Sequence, residues 1–135
     1  MNPFAAMNQI VVAFALIAAA FHVWFFVLES LWFMRPAVYR RFGLKSEDEA
    51  RIARSFAYNQ GFYNLFLAAG VVFGMVLLAN GDWPSARAVV LFTCGSMVAA
   101  AVVLVTHNPK FLRAALLQAT MPLLAILAIA FLPVA

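Results

Sequence analysis

Charge and cysteine are both scarce in this chain. Only 10% of its 135 residues are charged, whereas about a quarter of the residues in a soluble domain are. The single cysteine, Cys94, has no partner for an internal disulfide or for a cysteine-based metal site. The sequence also has no Gly-rich phosphate loop and no HExxH motif, and without these motifs we predict no metal site and no cofactor. The scarcity of charge excludes an ordinary soluble domain.

Apolar sequence takes the place of charge. Hydrophobic residues make up 67% of the chain and form four runs, at about residues 8–34, 57–79, 86–106 and 110–133. Roughly 20 apolar residues span a bilayer as a helix, and short connections between helices favour antiparallel neighbours. The sequence therefore predicts an all-α fold, an integral membrane antiparallel four-helix bundle in which residues 1–135 form a single transmembrane domain. The first run precedes every basic residue, so we expect a retained span rather than a cleaved signal peptide.

Basic residues are concentrated on one side of the predicted bundle. Eight of the nine lie where the first and third runs end or the second and fourth begin, and Arg87 alone lies on the other side. By the positive-inside rule this places the loop of residues 35–56 in the cytoplasm and both termini outside. Because the positive charges flank apolar runs, the net charge of +4 indicates membrane orientation rather than binding to nucleic acid. Within the loop, Ser46 and Glu49 form a capping-box pattern that predicts a helix continuing into the second run.

The first span contains ionisable residues at depths where they are costly. In HVWFFVLES, His22 and Glu29 are seven positions apart, which places them within about 20° of each other on an α-helix. If the span ends at Met34, they lie about 18 Å and about 7 Å inside that end. Ionisable groups at such depth usually face the bundle interior or a water-filled cavity. This pair is the predicted catalytic site.

Further polar and aromatic residues are expected around the pair. The second span opens with NQGFYN, and the fourth contains a glutamine about 12 Å in from Lys110. The antiparallel topology brings these groups to the cytoplasmic half of the membrane, where they favour a polar pocket for a small lipophilic molecule. The predicted ligand-binding residues are Trp24, Asn59, Gln60, Tyr63, Asn64 and Gln118.

Structural roles compete with this interpretation. Asn and Gln side chains often cross-link membrane helices, and each polar residue taken alone is better explained in that way than as part of a site. Taken together on one side of a small bundle, they favour a site. Gly70 and Gly74, like Gly95 and Ala99, are spaced for close approach of helices. Packing within the monomer is favoured over the alternative, a homodimer.

Three elements of the chain form a recognisable combination: HVWFFVLE in the first span, NQGFYNLFLAAG in the second, and Gln118 with Pro122 in the fourth. In this combination the chain resembles a bacterial family of small membrane proteins, domain of unknown function 1304 (DUF1304). The resemblance covers nearly the whole chain. It implies four spans in the bacterial cytoplasmic (inner) membrane and points to the same polar positions, but it supplies no activity.

Three classes of function are compatible with these features. A His–Glu pair in a low-dielectric setting suits proton transfer, so the sequence favours a protein that binds a small lipophilic molecule and converts it by acid–base chemistry. A proton-coupled transporter is one alternative, although the polar residues stop halfway across the membrane. A structural or accessory subunit of a larger membrane complex is the other. The sequence alone leaves enzymatic activity open.

Overall fold

Helices account for nearly all of the chain. The computed structural model describes the backbone of residues 3–131 and the side chains of residues 9–131. Within this part there are five α-helices, α1 (Pro3–Phe26), α2 (Pro36–Tyr39), α3 (Glu47–Ala79), α4 (Trp83–His107) and α5 (Leu112–Phe131). A π-helical turn, Val27–Leu31, extends α1, and 3-10 turns, Arg40–Phe42 and Pro109–Phe111, follow α2 and precede α5. The described residues contain no strand, so the predicted all-α class is confirmed.

Among the described residues, four helical segments are long and apolar enough to cross a membrane. They are Gln9–Leu31, Glu47–Ala79, Trp83–His107 and Pro109–Phe131. Each exceeds the roughly 20 residues that a bilayer core requires. The chain is therefore a multi-pass membrane protein, as its composition predicts. That residues 1–135 form one transmembrane domain stays a prediction.

The starts of the two longest helices are set by local side-chain caps. The Glu49 backbone N–H donates to Ser46 Oγ at 3.2 Å, and the Glu49 carboxylate accepts from the Lys45 N–H at 2.7 Å. This confirms the predicted helix start, although the glutamate reaches one residue further back than in the usual capping box. At α4, the Asp82 side chain accepts from the Ser85 N–H at 3.2 Å. Gly81, with φ of 82°, makes the turn before it, because the left-handed conformation favours a residue without Cβ.

The chain divides into two compact units, of which the first comprises residues 1–21 and 67–135. In this unit α3 and α4 are antiparallel, since Gly70 lies against Thr93 and Gly74 against Val90. A Cβ added at Gly70 would stand 2.9 Å from Thr93 Oγ1, and one at Gly74 would stand 2.7 Å from Val90 Cγ2. Both glycines therefore pack within the monomer, as favoured from the sequence. The close contact expected at Gly95 is not found, because an added Cβ there meets nothing within 4 Å among the described residues. The buried core consists largely of small side chains: Val11, Ala15, Ala18, Ala19, Ala68, Val71, Val90, Cys94, Met97, Ala125, Ala128 and Ile129.

The second unit comprises residues 22–66. Its two long segments are the end of α1 with the π turn and the first half of α3. They are antiparallel, because Phe26 meets Phe62 with ring centroids 5.1 Å apart and Ser30 meets Tyr58. The segment after the π turn folds back on the start of α3 and forms a small core of Phe33, Tyr39 and Ala50 with Met34, Phe42, Leu44, Ala53 and Ala57. Antiparallel packing is thus confirmed inside each unit.

Candidate functional site

Glu29 lies in the π-helical turn that ends the first long helix. The Trp32 N–H donates to the Val27 carbonyl at 2.9 Å, five residues earlier in the chain. Such turns are rare and recur at functional sites. The angle predicted between His22 and Glu29 assumed an unbroken α-helix, and the wider turn that begins at Val27 changes that angle. The side chain of Glu29 therefore points in a different direction, relative to the residues of α1, from the one predicted.

The carboxylate of Glu29 is held by one amide of the NQGFYN element. Asn64 Nδ2 donates to Glu29 Oε2 at 2.8 Å and to the Gln60 backbone carbonyl at 3.3 Å. Asn64 is only 6% exposed, whereas Glu29 is half-buried. In the described part of the chain, Glu29 Oε1 accepts no hydrogen bond, although each carboxylate oxygen has two acceptor positions. One oxygen is therefore anchored and the other is left for a further donor.

A glycine allows α3 to approach the π turn closely enough for this hydrogen bond. Ser30 Oγ donates to the Tyr58 carbonyl at 2.8 Å, and Gly61 lies directly against Ser30. A Cβ at Gly61 would overlap Ser30 Oγ and would stand 3.0 Å from Ser30 N and 3.1 Å from Glu29 Cβ. The backbone of α3 thus touches the backbone of the π turn. Ser30 and Gly61 are the supporting residues that the sequence interpretation missed.

His22 is the most deeply buried ionisable residue of the predicted site. Its exposed fraction is 0%, and its ring meets the ring of Phe25 edge to face with centroids 5.4 Å apart. An ionisable group in the interior of a spanning segment is costly and commonly functional. His22 belongs to the same compact unit as Glu29. A joint role of the two residues stays a prediction.

The remaining predicted site residues divide into exposed and partly buried groups. Asn59, Gln60 and Tyr63 are exposed, so Asn64 is the residue of this element that reaches Glu29. Trp24 is also exposed and packs edge to face with Trp32 at 5.5 Å between ring centroids. In the first unit, Gln118 Nε2 donates to the Met97 carbonyl at a long 3.4 Å. The predicted contacts of these side chains with a ligand stay predictions.

A family model described as a protein of unknown function, DUF1304, matches residues 16–130. The chain belongs to the DUF1304 family. No curated protein and no solved structure matches the chain. The DUF1304 region contains every residue of the Glu29 site, and the family description assigns them no activity.

The DUF1304 chain also carries an open groove that the sequence interpretation did not identify. The groove has a volume of about 320 Å³ and is lined by Phe33, Phe42, Leu44, Ala53, Phe56, Ala57 and Gln60. Its α3 residues occupy positions i, i+3, i+4 and i+7, the spacing of one helix face. This spacing was the sequence signal that could have identified the groove. Ala53 and Phe56 lie in the helix predicted to lead into the second span, and Ala57 and Gln60 lie at the start of the apolar run assigned to that span.

Proposed function

We propose that this DUF1304 protein binds a small lipophilic molecule at Glu29 and transfers a proton on it, with Glu29 and His22 as the acid–base groups. The proposed site lies in the cytoplasmic half of a bacterial inner membrane, with both termini outside. Trp24 and the exposed polar side chains at the start of the second span are proposed ligand contacts.

The observation that carries this proposal is the state of the Glu29 carboxylate. Asn64 anchors Oε2 at 2.8 Å, while no described residue donates to Oε1. A carboxylate used only to hold helices together would be expected to use its remaining acceptor capacity within the protein, because unsatisfied polar groups in a spanning segment are costly. The half-buried position supports access by a molecule dissolved in the membrane. The rigid anchor fits a base that must keep one orientation.

The chemistry that suits these residues is a proton shift on the bound molecule. A carboxylate removes a proton from one atom of the molecule, and an acid returns a proton to another atom, so no electrons are gained or lost overall. Positioned acid and base groups of this kind contribute about 10²–10⁴-fold to rate. A lipophilic compound with an activated C–H bond is the class of substrate that such a site serves.

The test starts from the full-length protein purified in a mild non-ionic detergent. Co-purifying compounds are extracted and identified by mass spectrometry, and the protein–compound complex is incubated in deuterated water. We expect a defined lipophilic compound to be retained and to take up deuterium. Glu29→Gln keeps the side-chain size and an acceptor for Asn64, but it removes proton exchange, so deuterium uptake should be lost while the protein remains folded.

The matched control is Glu47→Gln, an exposed glutamate whose partner is Arg51 at 2.6 Å. Exposed ion pairs contribute little to stability, so this variant should retain both the compound and its deuterium exchange. Recovery of bulk phospholipids alone from the wild type would contradict the proposal. Equal deuterium uptake by the wild type and Glu29→Gln would also contradict it.

A further inference from the structure

Helix α3 is longer than a membrane span requires. It contains 33 residues, which corresponds to a length of about 50 Å, whereas the hydrocarbon core is about 30 Å thick. About a dozen residues at its start therefore extend past the core. Two large apolar side chains in this extension, Ile52 and Phe56, are 78% and 79% exposed. The extension consequently presents apolar surface at the level of the lipid headgroups.

The open groove lies on the same extension. Phe42 and Leu44 come from the segment that folds back on α3, and Ala53, Phe56 and Ala57 come from α3 itself. The small side chains of Ala53 and Ala57 leave the groove open. The aromatic rings among its lining residues, Phe33, Phe42 and Phe56, form its sides. All of the lining residues belong to the compact unit of residues 22–66. The groove is therefore a feature of one folded unit.

Cationic side chains adjoin the groove along the chain. Arg41 precedes Phe42, Lys45 follows Leu44, and Arg54 follows Ala53. All three are exposed, and none has a carboxylate partner among the described residues. Arg51 differs, because Glu47 pairs with it at 2.6 Å. The groove is thus largely apolar, and three of its lining residues are followed or preceded in the chain by an exposed cation without a carboxylate partner among the described residues.

We propose that this groove binds an anionic phospholipid, with one acyl chain along Phe42 and Phe56 and the phosphate beside Arg41 and Arg54. The apolar lining matches the acyl chain and the free cations match the phosphate, which is the pairing by which basic clusters next to a span recognise anionic lipids. The exposed apolar residues of the extension favour a lipid over a water-soluble anion. The groove shares Gln60 with the proposed Glu29 site, but the residues proposed to bind the lipid differ from Glu29 and Asn64.

The experiment measures binding of single lipids to the full-length protein by native mass spectrometry in non-ionic detergent. Phosphatidylglycerol and phosphatidylcholine with identical acyl chains are the two probes, since they share the apolar part and differ in net charge. One cation near a headgroup contributes about fivefold to affinity. We expect the wild type to bind phosphatidylglycerol about 25-fold more tightly than phosphatidylcholine, and the double variant Arg41→Gln/Arg54→Gln to lose this preference.

Two exposed residues outside the groove provide matched controls. Arg87→Gln removes an exposed arginine, and Phe92→Ala removes a ring that is 78% exposed. Neither should change the affinity for either lipid. Phe56→Ala should lower the affinity for both lipids by about fivefold, because it removes apolar lining from the groove without altering the charge. Since Phe56 is exposed, this variant should fold normally.

Three results would overturn the proposal. The first is equal affinity of the wild type for the two lipids, which would remove the role of charge. The second is an equal loss of phosphatidylglycerol binding in Arg87→Gln and in the double variant, which would indicate general electrostatic attraction. The third is unchanged binding in Phe56→Ala. None of these results affects the proposed function at Glu29.

Discussion

Replacement of Gly61 by alanine tests the close approach on which the Glu29 site depends. The added Cβ would overlap Ser30 Oγ and would stand 3.0 Å from Ser30 N and 3.1 Å from Glu29 Cβ. The hydroxyl can rotate away, but it then loses its hydrogen bond to the Tyr58 carbonyl. The backbone nitrogen and the Cβ cannot rotate away. The π turn must therefore move relative to α3.

The expected loss of stability in Gly61→Ala is the sum of three contributions. Overpacking of this kind costs about 1–3 kcal/mol, and the lost Ser30 hydrogen bond costs about 1 kcal/mol. Alanine offsets about 1 kcal/mol of this, because it is a better helix residue than glycine. The expected net loss in the free energy of unfolding for Gly61→Ala is therefore about 1–3 kcal/mol.

The matched control is Gly95→Ala in α4, where an added Cβ meets nothing within 4 Å. This variant should gain about 0.5–1 kcal/mol from helix propensity alone. The assay is reversible unfolding of the purified protein in mild detergent on titration with sodium dodecyl sulfate, followed by circular dichroism at helical wavelengths. Ser30→Ala introduced into Gly61→Ala should restore part of the loss, because it removes the nearest atom but leaves the backbone contact.

Three outcomes would refute the reasoning. If Gly61→Ala is as stable as the wild type, α3 and the π turn do not meet at this glycine. If Gly95→Ala is destabilised as much as Gly61→Ala, the loss reflects a general sensitivity of the helices to substitution. A full recovery in Ser30→Ala/Gly61→Ala would show that the hydroxyl is the only obstacle and that the two backbones are further apart.

Three further predictions concern the anchor, a helix cap and the orientation. Asn64→Leu leaves the Glu29 carboxylate without its donor and should lower the free energy of unfolding by about 1–3 kcal/mol; no loss in the same unfolding titration would show that Asn64 is not the anchor. Asp82→Ala removes the N-cap of α4 and should lower the free energy of unfolding by about 1 kcal/mol in the same titration. Asp82→Asn should retain most of the stabilisation that the cap provides. Single cysteines in a cysteine-free background should react with an impermeant maleimide from the cytoplasm at Ser46 and from outside at Ser85, and the reverse pattern would invert the proposed orientation.

Local signals were sufficient to predict several parts of the structure. The Ser46–Glu49 pattern predicts the start of α3, because a cap depends on residues within one helical turn. The gap between the second and third apolar runs, at residues 80–85, predicts the break between α3 and α4. Gly70 and Gly74 predict a tight helix contact, and the structure supplies their partners, Thr93 and Val90. Their spacing alone does not distinguish a contact within the monomer from one between monomers.

Local sequence signals did not predict the π turn, nor that Asn64 rather than Asn59 binds Glu29. The segment VLESL contains no glycine or proline, so nothing in it predicts a wider turn. Asn59 and Asn64 are the same residue type within two helical turns, and their sequence gives no reason to prefer either as the partner of Glu29. The difference is one of burial, since Asn64 is buried and Asn59 is exposed, and burial depends on which face of α3 meets the π turn.

The sequence by itself determined that this is an all-α membrane protein, where its long helices lie and that ionisable residues occur within its first span. Composition and helix length decide these features, because a bilayer requires long apolar helices with internally paired backbones. Only the tertiary structure decided that Glu29 stands on a π turn, that Asn64 is its donor and that Gly61 allows them to meet. These features depend on the register between two segments about 30 residues apart, and register is set by the packing of their side chains rather than by the pattern of either segment.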